Sequence, residues 1–195
     1  MTYHVEDLFD LSQTTHGALF AGVEYPWDAL KRLADHIART VKPGTAGAEV
    51  SPLAHVGPQV SLGAGTVVEP GAMILGPAII GAGCRIRHGA SIRENVVVGD
   101  GCVVGNSVEL KHCVLFNECQ VPHFNYVGDS ILGHKAHLGA GSILSNVKLD
   151  HHPGSIIGRS SVVYPNVSWR GILPQHMIAK HEDPPNVIVR RPRST

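Results

Sequence analysis

Aromatic and charged residues are scarce in this chain. Aromatic residues occupy 5% of the 195 positions and charged residues 16%, whereas hydrophobic residues occupy 43%. Sixteen basic residues balance sixteen acidic ones, so the chain lacks the basic face that binders of nucleic acid or of anionic membranes normally need. Because aromatic rings are so few, a core must be built from Val, Ile, Leu and Ala.

Long apolar runs and paired cysteines are also missing. No apolar stretch approaches the length that spans a bilayer, and residues 1–10 are acidic and lack the apolar segment of a secretory signal. The four cysteines form no Cys-x-x-Cys pair, which argues against a metal cage or a disulfide scaffold. The sequence therefore predicts a cytoplasmic protein with reduced thiols and with neither nucleic acid nor membrane as a partner.

A six-residue repeat dominates what is present. Every sixth position from Val50 to Phe116 holds a large apolar residue, twelve in succession, and the position four residues later is mostly small. This period is the hexapeptide signature of a parallel β-helix, and the pattern resembles the left-handed β-helix family. Three hexads form one triangular coil, so residues separated by three hexads should lie above one another. The predicted fold is an all-β solenoid.

The residues before the repeat predict a helix. Pro26 and Asp28 suit a first helical turn, an apolar stripe follows at steps of three and four, and Pro43 ends it. We therefore expect one helix at 26–42, and we expect it to cover the open end of the solenoid. The resulting division is an N-terminal helical cap at 1–49, a β-helix at 50–174, and an extended C-terminal arm at 175–195 that is basic at its end.

Two cations share one predicted face. Arg93 and Lys111 are separated by three hexads and each directly follows a large apolar residue, so they should project side by side. With Glu109 as the only nearby acid, their repulsion favours a bound anion. A phosphate site and a solvated face both remain open. Cys84 and Cys102 are also separated by three hexads and should stack inside the prism as small core residues.

The repeat is interrupted after Phe116, where two apolar steps shorten from six residues to five. The segment between the short steps is Val-Pro-His-Phe-Asn-Tyr, which contains His123, Asn125 and Tyr126. An interruption in a regular solenoid is where local rules are expected to yield to function.

Three motifs accompany this interruption: VELK at 108–111, H-x-x-Y-x-G-D from His123, and GAGS-x-x-x-N ending at Asn146. In combination they resemble the acetyltransferase half of the bacterial bifunctional enzyme that makes UDP-N-acetylglucosamine from glucosamine-1-phosphate. The chain also resembles short stand-alone relatives described as sugar-nucleotide pyrophosphorylase-like, although no residue here could perform nucleotidyl transfer. The resemblance implies a homotrimer with active sites between neighbouring prisms.

The resemblance further implies acetyl transfer from acetyl-CoA to the amine of an amino-sugar phosphate or a nucleotide sugar, with no metal at the catalytic site. His123 would be the general base and Glu109 an acid that raises its basicity. The other implied roles are phosphate binding by Arg93 and Lys111, positioning of the sugar and the acetyl group by Tyr126 and Asn146, and contact of the Ala140 backbone N–H with the acyl thioester.

The chain departs from this family in its last coils. His137 stands where the family has a sugar-binding asparagine, and it is retained as a candidate sugar contact. Val147 follows Asn146 where the family has tyrosine, and His152 takes the place of a lysine. The uridylyltransferase half is absent.

Two other functions stay open. The chain could be a non-catalytic sugar-phosphate-binding module or a partner of a sugar nucleotidyltransferase, which its few C-terminal coils favour. It could also be a carbonic-anhydrase-like zinc protein that uses His112, His134 and His137, although their spacing differs from that family's.

Overall fold

The computed structural model describes residues 3–45, 47–144 and 155–180 and the backbone of residues 187–190. Its strands form three sheets, and the chain passes from each sheet to the next around a triangular coil. The fold is a left-handed parallel β-helix, which confirms the predicted class.

Each full coil contributes one strand to each sheet. Sheet 1 consists of β1 (Glu49–Val50), β4 (Val67–Val68), β7 (Arg85–Ile86), β10 (Val103–Asn106), β13 (Gln120–His123), β16 (His137–Leu138), β19 (Val162–Val163), β22 (Met177–Lys180) and β23 (Val187–Arg190). Sheet 2 consists of β2 (His55–Val56), β5 (Met73–Ile74), β8 (Ser91–Ile92), β11 (Glu109–Lys111), β14 (Tyr126–Gly128), β17 (Ile143–Leu144) and β20 (Ser168–Trp169). Sheet 3 consists of β3 (Val60–Leu62), β6 (Ala78–Ile80), β9 (Val96–Val98), β12 (Cys113–Leu115), β15 (Ile131–Leu132), β18 (Ile156–Ile157) and β21 (Ile172–Leu173).

The inward residues of the hexads fill the prism. The large repeat positions from Leu62 to Leu110 are buried, and the small positions pack between them. Phe116, the last predicted inward residue, packs instead against the N-terminal helices, and Leu115 takes the inward position beside Val98. Cys84 and Cys102 are fully buried, as predicted, and their thiols donate to the carbonyls of Gly99 and Phe116, each at 3.1 Å. The neighbouring Cys102 thiol, followed by burial, raises the pKa of Cys84. These thiols are therefore protonated core groups.

Coil length changes along the solenoid. Val103 pairs with Arg85, which lies three full hexads before it, but its partner on the other side is Gln120, one position short of three hexads after it. The inward series steps by five residues from Leu110 to Leu115 and from Val127 to Leu132, so the second predicted short step is confirmed, whereas the first precedes Phe116 and does not follow it. His137 pairs with Val162, more than four hexads after it, so this coil contains an insertion, and residues 145–154 lie outside the described part of the chain.

The N-terminal segment contains more than the single helix predicted at 26–42. It comprises α1 (Val5–Leu8), 3-10 helices at Leu11–Gln13, Gly17–Phe20 and Pro26–Arg32, and α2 (Leu33–Thr40). The prediction was wrong on helix type and end, because an apolar stripe over two turns does not separate a period of 3.0 from one of 3.6. None of these helices, nor any other helix in the described residues, is long and apolar enough to cross a membrane.

This segment covers sheet 3 and not the open end of the solenoid, which corrects the expected position of the cap. Outward-facing side chains of sheet 3 are buried against the N-terminal helices, and Phe9 and Phe20 pack on Phe116 with ring centroids 5.0 and 5.5 Å apart. The outward residues concerned are Val97, Val114, Ile131 and Ile156. Because these strands are apolar on both sides, one face of the prism needed a cover.

At the C-terminus, sheet 1 continues past residue 174, where the extended arm was expected to begin. β22 runs parallel to β19, and β23 then pairs antiparallel with β22. The wider division into three parts stays a prediction.

A partly buried histidine pair makes the N-terminal segment sensitive to pH. His16 Nδ1 lies 2.9 Å from His36 Nε2, and His36 is 7% exposed. Burial, followed by the charge of His36, lowers the pKa of His16 to about 4, and burial also lowers the pKa of His36. The pair is therefore neutral in the folded chain at pH 7.

We expect acid to destabilise the fold through this pair. The pKa of His16 is lower in the folded chain than in the unfolded one, so its contribution is present above pH 6.5 and is lost as pH falls towards 4. The loss amounts to at most about 3 kcal/mol. Urea unfolding of the parent chain and of His16→Gln at pH 7.5 and pH 4.5 measures it. An equal pH dependence in both chains would contradict the assignment.

Candidate functional site

Sheet 2 brings the two predicted cations together. Leu110 pairs with Ile92, and the backbone N–H of Arg93 donates to the Leu110 carbonyl at 2.9 Å, which sets Lys111 directly above Arg93. Their side chains are 39% and 33% exposed. The spatial prediction from the spacing of three hexads is therefore confirmed.

Two acids accompany these cations, so the expectation that Glu109 is the only close acid was wrong. Arg93 Nη1 donates to Glu109 Oε1 at 3.0 Å, and Arg93 Nε lies 3.5 Å from Glu94 Oε2. Glu94 Oε1 is also 4.0 Å from Lys111 Nζ. The hydrogen bond to Glu109, followed by the charge of Glu94, raises the pKa of Arg93. Glu94 was missed because it follows Arg93 at the end of a strand, where the repeat does not fix side-chain direction.

These ion pairs are half-exposed. Pairs of this kind contribute about 0–1 kcal/mol each. A phosphate that makes charge-assisted hydrogen bonds to both cations can displace the two carboxylates, because each such bond contributes about 1.5–3 kcal/mol. The two carboxylates therefore offset the charge of the two cations when no anion is bound, and an anion can take their place.

His123 lies at the corner where the chain passes from sheet 1 to sheet 2. It ends β13, its side chain is exposed, and its ring centroid is 6.3 Å from that of Phe124. The expected pairing with Glu109 is not what the geometry favours, because the Glu109 carboxylate is engaged by Arg93. Within sheet 2, Glu109 lies opposite Tyr126.

Asn125 fastens the backbone of His123 to the next coil. It is 2% exposed, and its Oδ1 accepts the backbone N–H of His123 at 3.0 Å. Its Nδ2 donates to the carbonyls of Gly139 at 2.7 Å and Ser142 at 3.3 Å. The equivalent positions of earlier coils hold Ala72, Ala90 and Val108. A polar residue in this apolar series was the sequence signal for the clamp.

Pro122, the residue before His123, approaches the preceding coil so closely that only glycine fits opposite. A Cβ placed on Gly105 would collide with the backbone carbonyl group of Pro122. The backbone just before His123 therefore lies close to the preceding coil, and the missing side chain of Gly105 makes this approach possible.

Gly105→Ala is expected to lower the free energy of unfolding by about 1–3 kcal/mol, because Pro122 must move to admit the methyl group. Gly83→Ala is the control for an added Cβ, since it meets nothing within 4 Å, although its φ of +63° adds backbone strain. Chemical denaturation measures both variants. A loss for Gly105→Ala no greater than that for Gly83→Ala would contradict the close approach.

Ala140 lies one coil above His123. Gln120 pairs with His137, so the position after Gly139 stacks on His123, and the backbone N–H of Gly141 donates to the His123 carbonyl at 3.0 Å. The structure therefore brings together the candidate base and the backbone that the family resemblance assigns to the thioester.

The remaining predicted residues divide between two faces. Tyr126 joins the sheet 2 cluster through its pairing with Glu109, whereas His137 lies on sheet 1. Asn146, Val147 and His152 lie outside the described residues.

The histidines of the zinc alternative do not converge. His112 follows β11 with a φ of 46°, while His134 Nδ1 lies 2.9 Å from the Asn117 carbonyl and His137 is on sheet 1. Within the described ranges, no group of three or more His, Cys, Asp or Glu side chains is arranged to hold a metal.

The hexapeptide coils and their stacked corner place this chain in the class of left-handed β-helix proteins. Residues 74–188 match the family described as the GMPPB C-terminal domain. This match covers more than half of the chain, and the chain belongs to that family.

Curated relatives share a shorter segment. The chain is 41% identical over 49 residues to the bifunctional protein GlmU of Methanococcus maripaludis, covering 25% of this chain and 12% of the relative. It is 39% identical over 46 residues to the bifunctional sugar-1-phosphate nucleotidylyltransferase/acetyltransferase of Sulfurisphaera tokodaii, covering 24% and 12%. The predicted family resemblance is confirmed, although the chain spans about an eighth of the length of these relatives.

Among solved structures, the chain is similar to the UDP-N-acetylglucosamine acyltransferase of Francisella novicida. The TM-score is 0.44 at 12% sequence identity, and the alignment covers 77% of this chain and 68% of the other.

Proposed function

We propose that this chain is an acyltransferase that moves an acetyl group from acetyl-CoA to the amine of an amino-sugar phosphate or a nucleotide sugar. One observation carries the proposal. The exposed His123 lies one coil below Ala140, at the edge of the sheet 2 face that presents Arg93 and Lys111. A base, a backbone donor and an anion-binding pair thus border one surface.

In the proposed reaction the amine nitrogen attacks the thioester carbonyl carbon. A ring nitrogen of His123 takes the proton that the amine loses as the C–N bond forms. The Ala140 N–H stabilises the oxyanion of the tetrahedral intermediate. The C–S bond then breaks, and the protonated histidine returns the proton to the departing thiolate, so the amide and a free thiol are the products.

The acceptor is held by its phosphate, at the part of sheet 2 that carries Arg93 and Lys111. Its phosphate displaces Glu94 and Glu109 from Arg93 and Lys111, while Tyr126 contacts the sugar. We assign His137 and Asn146 to the sugar as well, as the family resemblance implies. Glu109, released from Arg93 by the phosphate, would be free to act on the basicity of His123.

The names of the curated relatives support the class of reaction, since one of them is a nucleotidylyltransferase/acetyltransferase. We retain a cytoplasmic homotrimer as part of the proposal. Sheet 3 is covered by the N-terminal segment, which leaves sheets 1 and 2 for contact with neighbouring copies.

A non-catalytic module is the second candidate. The match to a family described as a C-terminal domain favours it, since such a domain can bind a sugar phosphate beside a separate nucleotidyltransferase. In that case the chain would keep the Arg93 and Lys111 pair without using a donor.

Calorimetry separates the two candidates. We expect acetyl-CoA to bind with micromolar affinity, and glucosamine-1-phosphate to bind in its presence. Coenzyme A and glucose-1-phosphate serve as controls that lack the acetyl group and the amine. Binding of the sugar phosphate without any binding of acetyl-CoA would overturn the transferase and leave the binding module.

A further inference from the structure

The corner that carries His123 uses a left-handed backbone in successive coils. In six successive coils the residue after the corner position has a φ between 53° and 76°. The series is Gly71, Gly89, Ser107, Phe124, Gly141 and Asn166. Glycine and asparagine adopt this conformation readily, whereas a bulky side chain is strained in it. Phe124 therefore has the bulkiest and most strained side chain of the series.

Phe124 is also an outlier among the phenylalanines. The chain has four, and Phe9, Phe20 and Phe116 form the buried cluster between the N-terminal segment and sheet 3. Phe124 is 60% exposed. Folding thus gains little from this ring, and a strained, exposed aromatic side chain points to a role in binding.

The surroundings of Phe124 indicate what the ring contacts. The His123 ring lies beside it, and Ala140 stacks on His123 one coil above. The ring is therefore near the assigned thioester contact.

We propose that Phe124 is a specificity-determining contact for the acyl-thioester donor, with its ring packed against the acyl group and the methylene chain beside the sulfur. This inference rests on the proposed acyl transfer and names the apolar part of the donor site. In this proposal, binding of the donor is the reason that a strained phenylalanine occupies position 124.

The test compares Phe124→Gly and Phe124→Asn with Ser107→Gly. Ser107 occupies the same left-handed position one coil below, with the same φ of 53°, and carries no ring. All three variants relieve strain, so their melting temperatures should not fall and should rise by up to about 4 °C. Titration calorimetry should show about tenfold weaker acetyl-CoA binding for both Phe124 variants and unchanged binding for Ser107→Gly.

Each other outcome overturns the inference. Unchanged acetyl-CoA affinity in the Phe124 variants would remove Phe124 from the donor site. The same conclusion would follow if only the affinity for glucosamine-1-phosphate became weaker. A changed oligomeric state in sedimentation would assign the ring to a contact between copies. A parent chain that binds no acetyl-CoA would overturn the proposed function and this inference with it, and that result differs from a selective effect of Phe124.

Discussion

Replacing His123 with alanine is expected to reduce the rate of acyl transfer by about 10²–10⁴, the usual contribution of a positioned general base. The backbone of His123 is held by hydrogen bonds with Asn125 and Gly141, and its ring is exposed, so the fold should survive. We expect kcat to fall while binding of the sugar phosphate stays unchanged. Rates and affinities measured on one preparation separate the two effects.

His88→Ala is the matched control for this prediction. His88 occupies the equivalent corner position two coils below His123 and is also exposed. Its ring Nδ1 lies 3.1 Å from the Pro70 carbonyl, away from Ala140. Full activity in His123→Ala, or an equal loss in His88→Ala, would show that His123 is not the base.

Removing both cations of sheet 2 is the second large effect. Arg93→Ala combined with Lys111→Ala should raise the KM for an amino-sugar phosphate by about 10²–10³, because two charge-assisted hydrogen bonds to the phosphate are lost. kcat should change little, since the phosphate is held equally in the ground state and the transition state. Steady-state kinetics over a range of acceptor concentrations measures the change.

Arg85→Ala is the control for the loss of a cation elsewhere on the solenoid. Arg85 is exposed on sheet 1, paired between Val67 and Val103, and therefore faces away from the proposed acceptor. The effect of the double variant should also shrink at high salt, because added ions weaken the parent's hold on the phosphate. A KM that is unchanged in the double variant, or raised equally by Arg85→Ala, would remove the phosphate from this face.

The sequence predicted most of the solenoid because its inward residues repeat with the period of the backbone. The stacking of Cys84 on Cys102 and of Lys111 on Arg93 followed from the spacing alone. The cover on sheet 3 was misplaced because the inward residues repeat on all three sheets and do not distinguish the covered face. Val97 and Val114 are apolar and pair with each other in successive coils, and that second series marks the covered face.

The site was predictable where it depends on backbone register and unpredictable where it depends on side-chain direction. Placing Ala140 above His123 requires only coil length, which the motifs fix. The contacts of Glu94 with both cations depend on rotamers at a strand end. The clamp by Asn125 was visible as a polar residue among apolar ones, but its partners Gly139 and Ser142 belong to the next coil.

Transfer of a labelled acetyl group from acetyl-CoA to glucosamine-1-phosphate, followed by mass spectrometry of the sugar, tests the proposed acyl transfer itself. We expect an N-acetylated product together with one free thiol per turnover, both formed about 10²–10⁴ more slowly by His123→Ala. A panel of amino-sugar phosphates and nucleotide sugars run beside it identifies the preferred acceptor. If the folded parent chain formed no acetylated product from any acceptor in the panel, that result would contradict acyl transfer by this chain.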